Sequence, residues 1–218
     1  LGNCTFCLTR LAKGSLFSYS EDKIIENIKR DLESGCKEIW LTSQDNAAYG
    51  LDKNQHNLPS LLKKILALEG NFRIRLGMMN PNNVLPILDE LIECYKDEKM
   101  FKFLHIPIQS GSNKVLRDMN RKYKKEDFLK IIKEFKKEIP NISFATDIIV
   151  AYPTETEKDY QESSSLLKEI KPDMLNLSAF WPMKGTPAFS LKPLSRETAK
   201  KRTPLMMQEF RKIADENN

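Results

Sequence analysis

The stretch ISFATDIIVAYPTETEKDYQESSSLLKEIKPDMLNLSAF, residues 142–180, predicts the fold of the chain. An apolar, extended segment at 142–150 precedes a helical pattern at 157–170, which stops before Pro172, and a second extended segment follows at 174–180. Two strands joined by a helix imply a right-handed parallel crossover, because a parallel neighbour can be reached only by a long connection. The stretch therefore predicts a βαβ unit.

The same alternation continues towards the N-terminus and gives five predicted strands in all. Regular alternation of this kind favours the α/β class, as a barrel or a doubly wound sheet within one domain, residues 1–218. The upstream helices are predicted at 20–35, 58–68, 84–95 and 126–137, and the upstream strands at 38–42, 72–78 and 101–108.

Composition narrows the class of protein. The 218 residues are 40% hydrophobic and 30% charged, which suits one large folded domain. There is no run of about 18 apolar residues and no signal-peptide pattern, so we expect a cytoplasmic protein without a membrane partner. The formal net charge of +5 is compatible with an anionic partner such as nucleic acid, but it does not identify one.

Two of the four cysteines, Cys4 and Cys7, are three positions apart, so both thiolates can reach one metal centre. The pair alone leaves open a buried free pair, a redox-active dithiol and a metal site. Zinc would need further ligands, and His56 and His105 lie far away in the sequence. His105 falls in an apolar strand and is predicted to be a core residue. Cys36 and Cys94 are predicted to be small core residues.

The sequence around the cysteines, GNCTFCLTRLAKG at 2–14, resembles the cluster loop of the methylthiotransferase branch of radical S-adenosylmethionine enzymes. The pattern of that family is CxxxCxxC. Cys4 and Cys7 match its second and third cysteines, and the first would lie immediately before Leu1. Further segments resemble the family in order: LTSQD at 41–45, AYG at 48–50, PIQSGS at 107–112, ATDIIV at 145–150 and GTPA at 185–188.

The resemblance covers nearly the whole chain and implies a partial (β/α)6 TIM-like barrel of the radical S-adenosylmethionine type, expected to lack its first strand. Residues 1–218 would form the core domain, without the family's N-terminal second-cluster domain and its C-terminal RNA-binding barrel. The family holds a four-iron four-sulfur cluster on three cysteines, and the open iron binds S-adenosylmethionine. The resemblance therefore implies Cys4 and Cys7 as metal ligands, a third cysteine ligand outside this chain, and an electron donor as a partner.

Active sites of such barrels lie at the C-terminal ends of the strands. Polar residues recur at these ends, and the resemblance implies that they bind the cofactor. Any one of them alone is as readily a loop cap, but the recurrence on several strands favours a site. The predicted cofactor-binding residues are Gln44, Asp45, Gln109, Ser110 and Asp147.

The function implied by the resemblance is addition of a methylthio group to C2 of N6-threonylcarbamoyladenosine near the anticodon of tRNA, with tRNA as partner and no DNA. The isolated chain is expected to lack complete activity. Two alternatives remain open at this point. One is the core of a ribosomal-protein methylthiotransferase, and the other is a metal-free RNA-binding or scaffold fragment.

The chain departs from the family pattern at two places. The segment AYPTE at 151–155 stands where GFPGE is common, and Met183-Lys184 stands where many members have an arginine. Three groups of charged residues are interpreted as structural. Glu155 and Asp159 are predicted to open a helix, and the basic run at 121–125 is predicted to be a solvated helix start. Arg10 and Lys13 are predicted to be solvated at least as readily as to contact phosphate.

Overall fold

The computed structural model describes residues 2–55 and 57–217, so His56 lies outside the described residues. In this part of the chain strands and helices alternate, which confirms the α/β prediction. The strands are β1 Glu38–Leu41, β2 Arg73–Leu76, β3 Phe103–His105, β4 Ser143–Val150 and β5 Met174–Ala179. The helices are α1 Thr9–Lys13, α2 Glu21–Glu33, α3 Leu58–Leu66, α4 Pro81–Val84, α5 Leu88–Lys96, α6 Asn113–Asp118, α7 Lys125–Glu138, α8 Glu157–Ile170 and α9 Arg196–Asn217. None of these helices is both long and apolar enough to cross a membrane.

Neighbouring strands are parallel and follow one another in chain order. In the first pair, β1 lies beside β2 with Trp40 opposite Arg75. The second sheet has the order β3-β4-β5, with Asp147 of β4 opposite Asn176 of β5. A single parallel bridge between Ile74 and Met100 connects the two sheets. The wall of five parallel strands is consistent with a partial barrel and confirms the predicted parallel crossovers.

The two faces of the wall differ because side chains alternate along a strand. On one face, Ile39, Ile74, Leu104 and Phe144 belong to the main hydrophobic core, which the helices cover. The other face carries polar and aromatic side chains and is called the interior face below. Its side chains include Trp40, Arg75, Phe103, His105, Asp147 and Asn176.

Three helices lie wholly outside the predicted ones, and α4 adds one turn before the helix predicted at 84–95. The first, α1, follows Cys7 directly, where a polar and basic loop was expected, and α6 is a single short helix whose cap, Ser112, accepts a hydrogen bond from the backbone of Val115. The third, α9, is largely polar and contains Pro204, so its sequence lacks a clear apolar stripe.

The two remaining cysteines have different surroundings. Cys94 is buried, as predicted, but Cys36 is exposed, so the prediction of a core position for Cys36 was wrong. Cys36 comes directly after Gly35, which has a φ of +93°, and it lies in the turn between α2 and β1, outside the packed stripe of the helix.

Replacing Lys171 with glycine is expected to raise the free energy of unfolding by about 0.5 kcal/mol. Lys171 closes α8 with a φ of +42°, a left-handed conformation that costs an L-residue about 1–2 kcal/mol and glycine almost nothing. The greater freedom of glycine in the unfolded chain offsets part of this gain. The shift of the urea midpoint at constant m value measures the effect.

Lys168 supplies a matched control, because it lies inside the last turn of the same helix. Lys168→Gly is expected to lower stability by about 1 kcal/mol. Equal losses at both positions would contradict the assignment of a left-handed cap to Lys171.

Candidate functional site

The loop that carries Cys4 and Cys7 is fastened to the rest of the fold through Thr5. The backbone N–H of Thr5 donates to the carbonyl of Met119 at 3.1 Å, and its own carbonyl accepts from the N–H of Ala188 at 2.8 Å. The Thr5 hydroxyl lies 2.8 Å from the hydroxyl of Tyr152. Two later segments of the chain and the loop after β4 therefore fix the cysteine loop.

Each sulfur has a donor beside it. The guanidinium of Arg121 donates from Nη1 to Cys4 Sγ at 3.2 Å, and the N–H of Thr9 donates to Cys7 Sγ at 3.4 Å. Arg121 was predicted to be part of a solvated basic run. That prediction was wrong for Arg121, because the short turn after α6 brings its side chain back over Phe6 and Tyr123, with Cζ 5.8 Å and 5.5 Å from the two ring centroids. A positive charge thus stands next to one of the two candidate ligands.

Both cysteines line one cavity of about 140 Å³. Because the loops after β1, β2 and β3 contribute the other walls, the cavity lies at the C-terminal ends of these strands, where parallel α/β folds place their ligands. Its polar lining residues are Thr9, Arg10, Gln44, Asp45, Asn80, Gln109 and Arg121.

The structure brings three of the five predicted cofactor-binding residues to this cavity and leaves two outside its lining. Gln44, Asp45 and Gln109 line it. Ser110 is fully buried and lies 3.3 Å from the hydroxyl of Ser163 on α8. Asp147 lies on the interior face of β4. The role of all five residues in cofactor binding remains a prediction.

Asp45 joins the loops that follow β1 and β2. Its carboxylate accepts from the N–H of Asn80 at 3.0 Å and from Nδ2 of Asn83 at 2.7 Å. Burial raises the pKa of the Asp45 carboxyl, and these hydrogen bonds counteract the shift. Sequence reasoning missed Asn80 and Asn83, although the signal was there: both follow the end of a predicted strand.

Gln109 has a strained backbone at the mouth of the barrel. Its φ is +72°, a region that non-glycine residues rarely adopt. The conformation is held by β4, since the N–H of Gln109 donates to the carbonyl of Asp147 at 2.8 Å and its carbonyl accepts from the N–H of Ile149 at 2.9 Å. Such strain is often found at functional sites, and here it belongs to a residue that lines the cavity.

The donor set fits part of an iron–sulfur site. Among the described residues, no group of three His, Cys, Asp or Glu side chains is arranged to hold a metal ion. Two thiol groups nevertheless face one cavity, and thiolates are the ligands that hold such clusters. In the same cavity, Asn80 Oδ1 and Arg121 Nε are buried and have no hydrogen-bond partner in the described part of the chain, as expected of groups that await a ligand. The residues therefore fit a centre that takes two thiolates from this chain.

His105 is not the core residue that its apolar strand suggested. It is half-buried on the interior face, with Nε2 2.9 Å from Oδ1 of Asp147. Asn176 donates to the same oxygen at 2.7 Å. The prediction was wrong because β3 alternates between two faces, and His105 lies on the one that the helices leave uncovered.

The segment that departs from GFPGE keeps the backbone shape that glycine favours. Ala151 has a φ of +59°, and its N–H donates to Glu155 Oε1 at 2.9 Å. Glu155 was predicted to belong to the start of the helix, and that prediction was wrong. Its carboxylate pairs instead with the buried guanidinium of Arg202 on α9. The prediction for Asp159 is confirmed, since it accepts from the N–H of Thr156 and completes a capping box.

Comparison with known proteins agrees with this geometry. Residues 1–167 match the Radical SAM superfamily. The chain is 45% identical over 218 residues, all of this chain and 51% of the relative, to a probable threonylcarbamoyladenosine tRNA methylthiotransferase of Archaeoglobus fulgidus. It is 50% identical over 206 residues, 94% of this chain and 48% of the relative, to the protein of that name in Pyrococcus horikoshii. The human threonylcarbamoyladenosine tRNA methylthiotransferase is 40% identical over 96% of this chain and 36% of its own length. The chain thus spans about half of the archaeal relatives.

Solved structures show the same fold at low sequence identity. The radical S-adenosylmethionine methyltransferase TsrM from Kitasatospora setae matches 81% of this chain and 33% of its own, with a TM-score of 0.65 and 14% identity. The cobalamin-dependent radical enzyme OxsB matches 96% of this chain and 29% of its own, with a TM-score of 0.61 and 12% identity. These likenesses concern the fold alone. The match over residues 1–167 shows that this chain belongs to the radical SAM superfamily.

Proposed function

We propose that this chain is the radical S-adenosylmethionine core of a tRNA methylthiotransferase that modifies threonylcarbamoyladenosine. The observation that carries the proposal is the identity of 45% along the whole chain to a relative with that name. The cysteine cavity supports it, because the cavity offers thiol ligands and polar groups at the mouth of a partial barrel.

Cys4 and Cys7 would hold a four-iron four-sulfur cluster together with a third cysteine expected outside this chain. When bound, the cluster supplies the electron that cleaves S-adenosylmethionine. Gln44, Asp45 and Gln109 would orient the polar ends of S-adenosylmethionine from the cavity wall. Arg121 would keep a positive charge beside the Cys4 sulfur.

The two other predicted cofactor residues would act at different depths. Ser110 is buried against Ser163 and would support the turn that carries Gln109. His105 and Asn176 hold the carboxylate of Asp147 on the interior face. From there Asp147 would form one wall of the space next to the cofactor. Neither residue lines the cysteine cavity.

The partners proposed are a tRNA and an electron donor, in the cytoplasm, without a role for DNA or membranes. Exposed aromatic rings support RNA as a partner, because unstacked bases pack on such rings. Phe17 is 72% exposed, Tyr19 65% and Trp181 69%. Lys13 beside Phe17 adds positive charge for the phosphates.

Anaerobic reconstitution with iron and sulfide tests the cluster site. The chain as given is compared with a form extended upstream to include the expected third cysteine, by iron counting and by S-adenosylmethionine cleavage under reductant. We expect about four irons and cleavage only in the extended form. Failure of both forms to bind iron would overturn the radical-enzyme proposal and favour the scaffold alternative.

Cysteine variants of the extended form give a sharper prediction. Cys4→Ser or Cys7→Ser is expected to abolish stable iron binding, because a hydroxyl does not replace a thiolate ligand. Cys36→Ser is the matched control and is expected to retain full iron content, since Cys36 is exposed and precedes β1, whereas the cavity lies after the C-terminal end of that strand. Loss of iron in all three variants would contradict the assignment.

The substrate is tested by offering tRNA that carries threonylcarbamoyladenosine, and separately ribosomal protein, to the intact protein. Transfer of a methylthio group to the tRNA alone is the expected result. Transfer to the protein alone would replace the proposal with the ribosomal-protein alternative.

A further inference from the structure

A continuous band of polar and aromatic side chains crosses the interior face of the sheet. Every strand contributes to it, while the opposite face packs against the helices. The band is open to approach, since Trp40 is 58% exposed. Its members are Trp40, Arg75, Phe103, His105, Asp147 and Asn176.

Arg75 is the cation at the centre of this band. Its Cζ lies 4.9 Å from the centroid of the Trp40 ring and 4.4 Å from that of Phe103, so two aromatic rings hold the guanidinium. Within residues 2–55 and 57–217, no carboxylate or other hydrogen-bond acceptor pairs with the guanidinium of Arg75. A fixed guanidinium with free N–H donors matches a carboxylate, which accepts two parallel hydrogen bonds from it.

The acidic residues on this face are engaged elsewhere. The carboxylate of Asp147 accepts from Asn176 and contacts His105, and Glu38 accepts from the indole N–H of Trp40 at 3.2 Å. Neither carboxylate forms an ion pair with Arg75. Among the described residues, the band therefore offers an unpaired guanidinium beside an exposed aromatic ring.

The band leads directly into the cysteine cavity. The chain runs from Arg75 through the end of β2 to Met78, which lines the cavity three residues later, at most about 10 Å away at 3.3 Å per residue. The chain likewise runs from Trp40 to Gln44 at the cavity wall. A substrate that enters the cavity from the open side of the barrel with one end would thus place its other end beside Arg75.

We propose that Arg75 is a specificity-determining residue that binds the carboxylate of the threonylcarbamoyl group. The inference rests on the proposed function, which supplies a substrate whose threonyl part ends in a carboxylate. Charge complementarity carries the assignment: an anionic group attached to the adenine meets a guanidinium that two aromatic rings hold and that has no acceptor among the described residues, and Trp40 offers a ring for stacking.

Two RNA hairpins test the proposal, one carrying threonylcarbamoyladenosine and the other unmodified adenosine at the same position. Their Kd values are measured by filter binding to the intact protein. We expect the wild-type protein to prefer the modified hairpin at least tenfold and Arg75→Gln to bind the two about equally, because glutamine is polar but lacks the positive charge and the forked donors of arginine. A hairpin whose threonyl carboxylate is converted to the amide is expected to bind the wild-type protein as weakly as the unmodified one.

Arg73→Gln is the matched control, as Arg73 lies two residues away on the same strand and face. It is expected to leave the preference unchanged, even if general RNA affinity falls. Arg75→Lys keeps the charge and is expected to keep part of the preference, which provides a second test should Arg75→Gln fold poorly.

The results separate the two proposals. In one outcome, the intact protein transfers a methylthio group to modified tRNA while Arg75→Gln still prefers the modified hairpin as strongly as the wild type does. That result would overturn the role of Arg75 and leave the proposed function standing. Equal binding of the carboxylate and amide hairpins by the wild-type protein would also overturn the role of Arg75 and leave the proposed function standing. A preference that depends on Arg75 without any methylthio transfer would support the carboxylate site while the proposed function fails.

Discussion

Replacing Arg202 with methionine is expected to lower the free energy of unfolding by about 3–5 kcal/mol, the usual cost of breaking a buried ion pair. The side chains of Arg202 and Glu155 are 7% and 1% exposed, so loss of the guanidinium leaves a buried carboxylate without its counter-charge. Methionine keeps the apolar packing on the ring of Tyr160, from which Cζ of Arg202 is 5.2 Å away. Urea unfolding at neutral pH measures the loss.

The pH dependence of the stability loss in Arg202→Met shows whether the unpaired Glu155 carboxylate causes it. Burial raises the pKa of the Glu155 carboxyl, and removal of Arg202 raises it further. When a carboxyl has a higher pKa in the folded than in the unfolded state, the free energy of unfolding falls as the pH rises above the pKa of the unfolded state, near 4.3. The deficit of Arg202→Met is therefore expected to be larger at pH 8 than at pH 5.

Two further variants serve as controls for Arg202→Met. Glu157→Gln removes the exposed partner of the same guanidinium and is expected to cost less than about 1 kcal/mol. The double variant Glu155→Gln with Arg202→Met removes both buried charges and is expected to recover part of the loss and its pH dependence. A pH-independent loss would show that packing, not the unpaired carboxylate, causes the destabilisation.

The fold was predictable because its strands and helices alternate with clear apolar patterns, and parallel pairing follows from the length of the connections. The position of Cys4 and Cys7 at one cavity was also predictable, since two positions three apart in a tight loop must stay together. Helix α9 was missed because its polar sequence and Pro204 hide the pattern, and its packing depends on the pairing of Arg202 with Glu155.

Contacts between distant segments were not predictable from local pattern. Arg121 is 117 residues from Cys4, and nothing in a basic run indicates which of its members returns to a sulfur. His105 and Asp147 lie on neighbouring strands, so their contact depends on the register of β3 with β4. Register is a property of the assembled sheet, and a shift by one residue would turn His105 to the other face.

Replacing Gly111 with alanine is expected to lower the free energy of unfolding by about 3 kcal/mol or more, at the upper end of the range for overpacking. An added Cβ would lie 2.6 Å from the carbonyl oxygen of Glu162 and 2.6 Å from Cα of Ser163. Both are backbone atoms of α8, so no side chain can rotate away. The turn must move instead, which breaks the hydrogen bond of 2.8 Å from the Gly111 N–H to the Ser163 hydroxyl.

The same movement reaches the candidate site, because Gln109 lies only two residues before Gly111 and lines the cysteine cavity. Gly35→Ala separates steric crowding from backbone conformation. Gly35 has a φ of +93°, but no atom of the described residues lies within 4 Å of an added Cβ, so the expected cost of about 1–2 kcal/mol comes from the left-handed backbone. The urea midpoints of the two variants are compared at equal m values. If Gly111→Ala proves no more destabilising than Gly35→Ala, α8 can yield to the turn, and the close approach does not hold Gln109 in place.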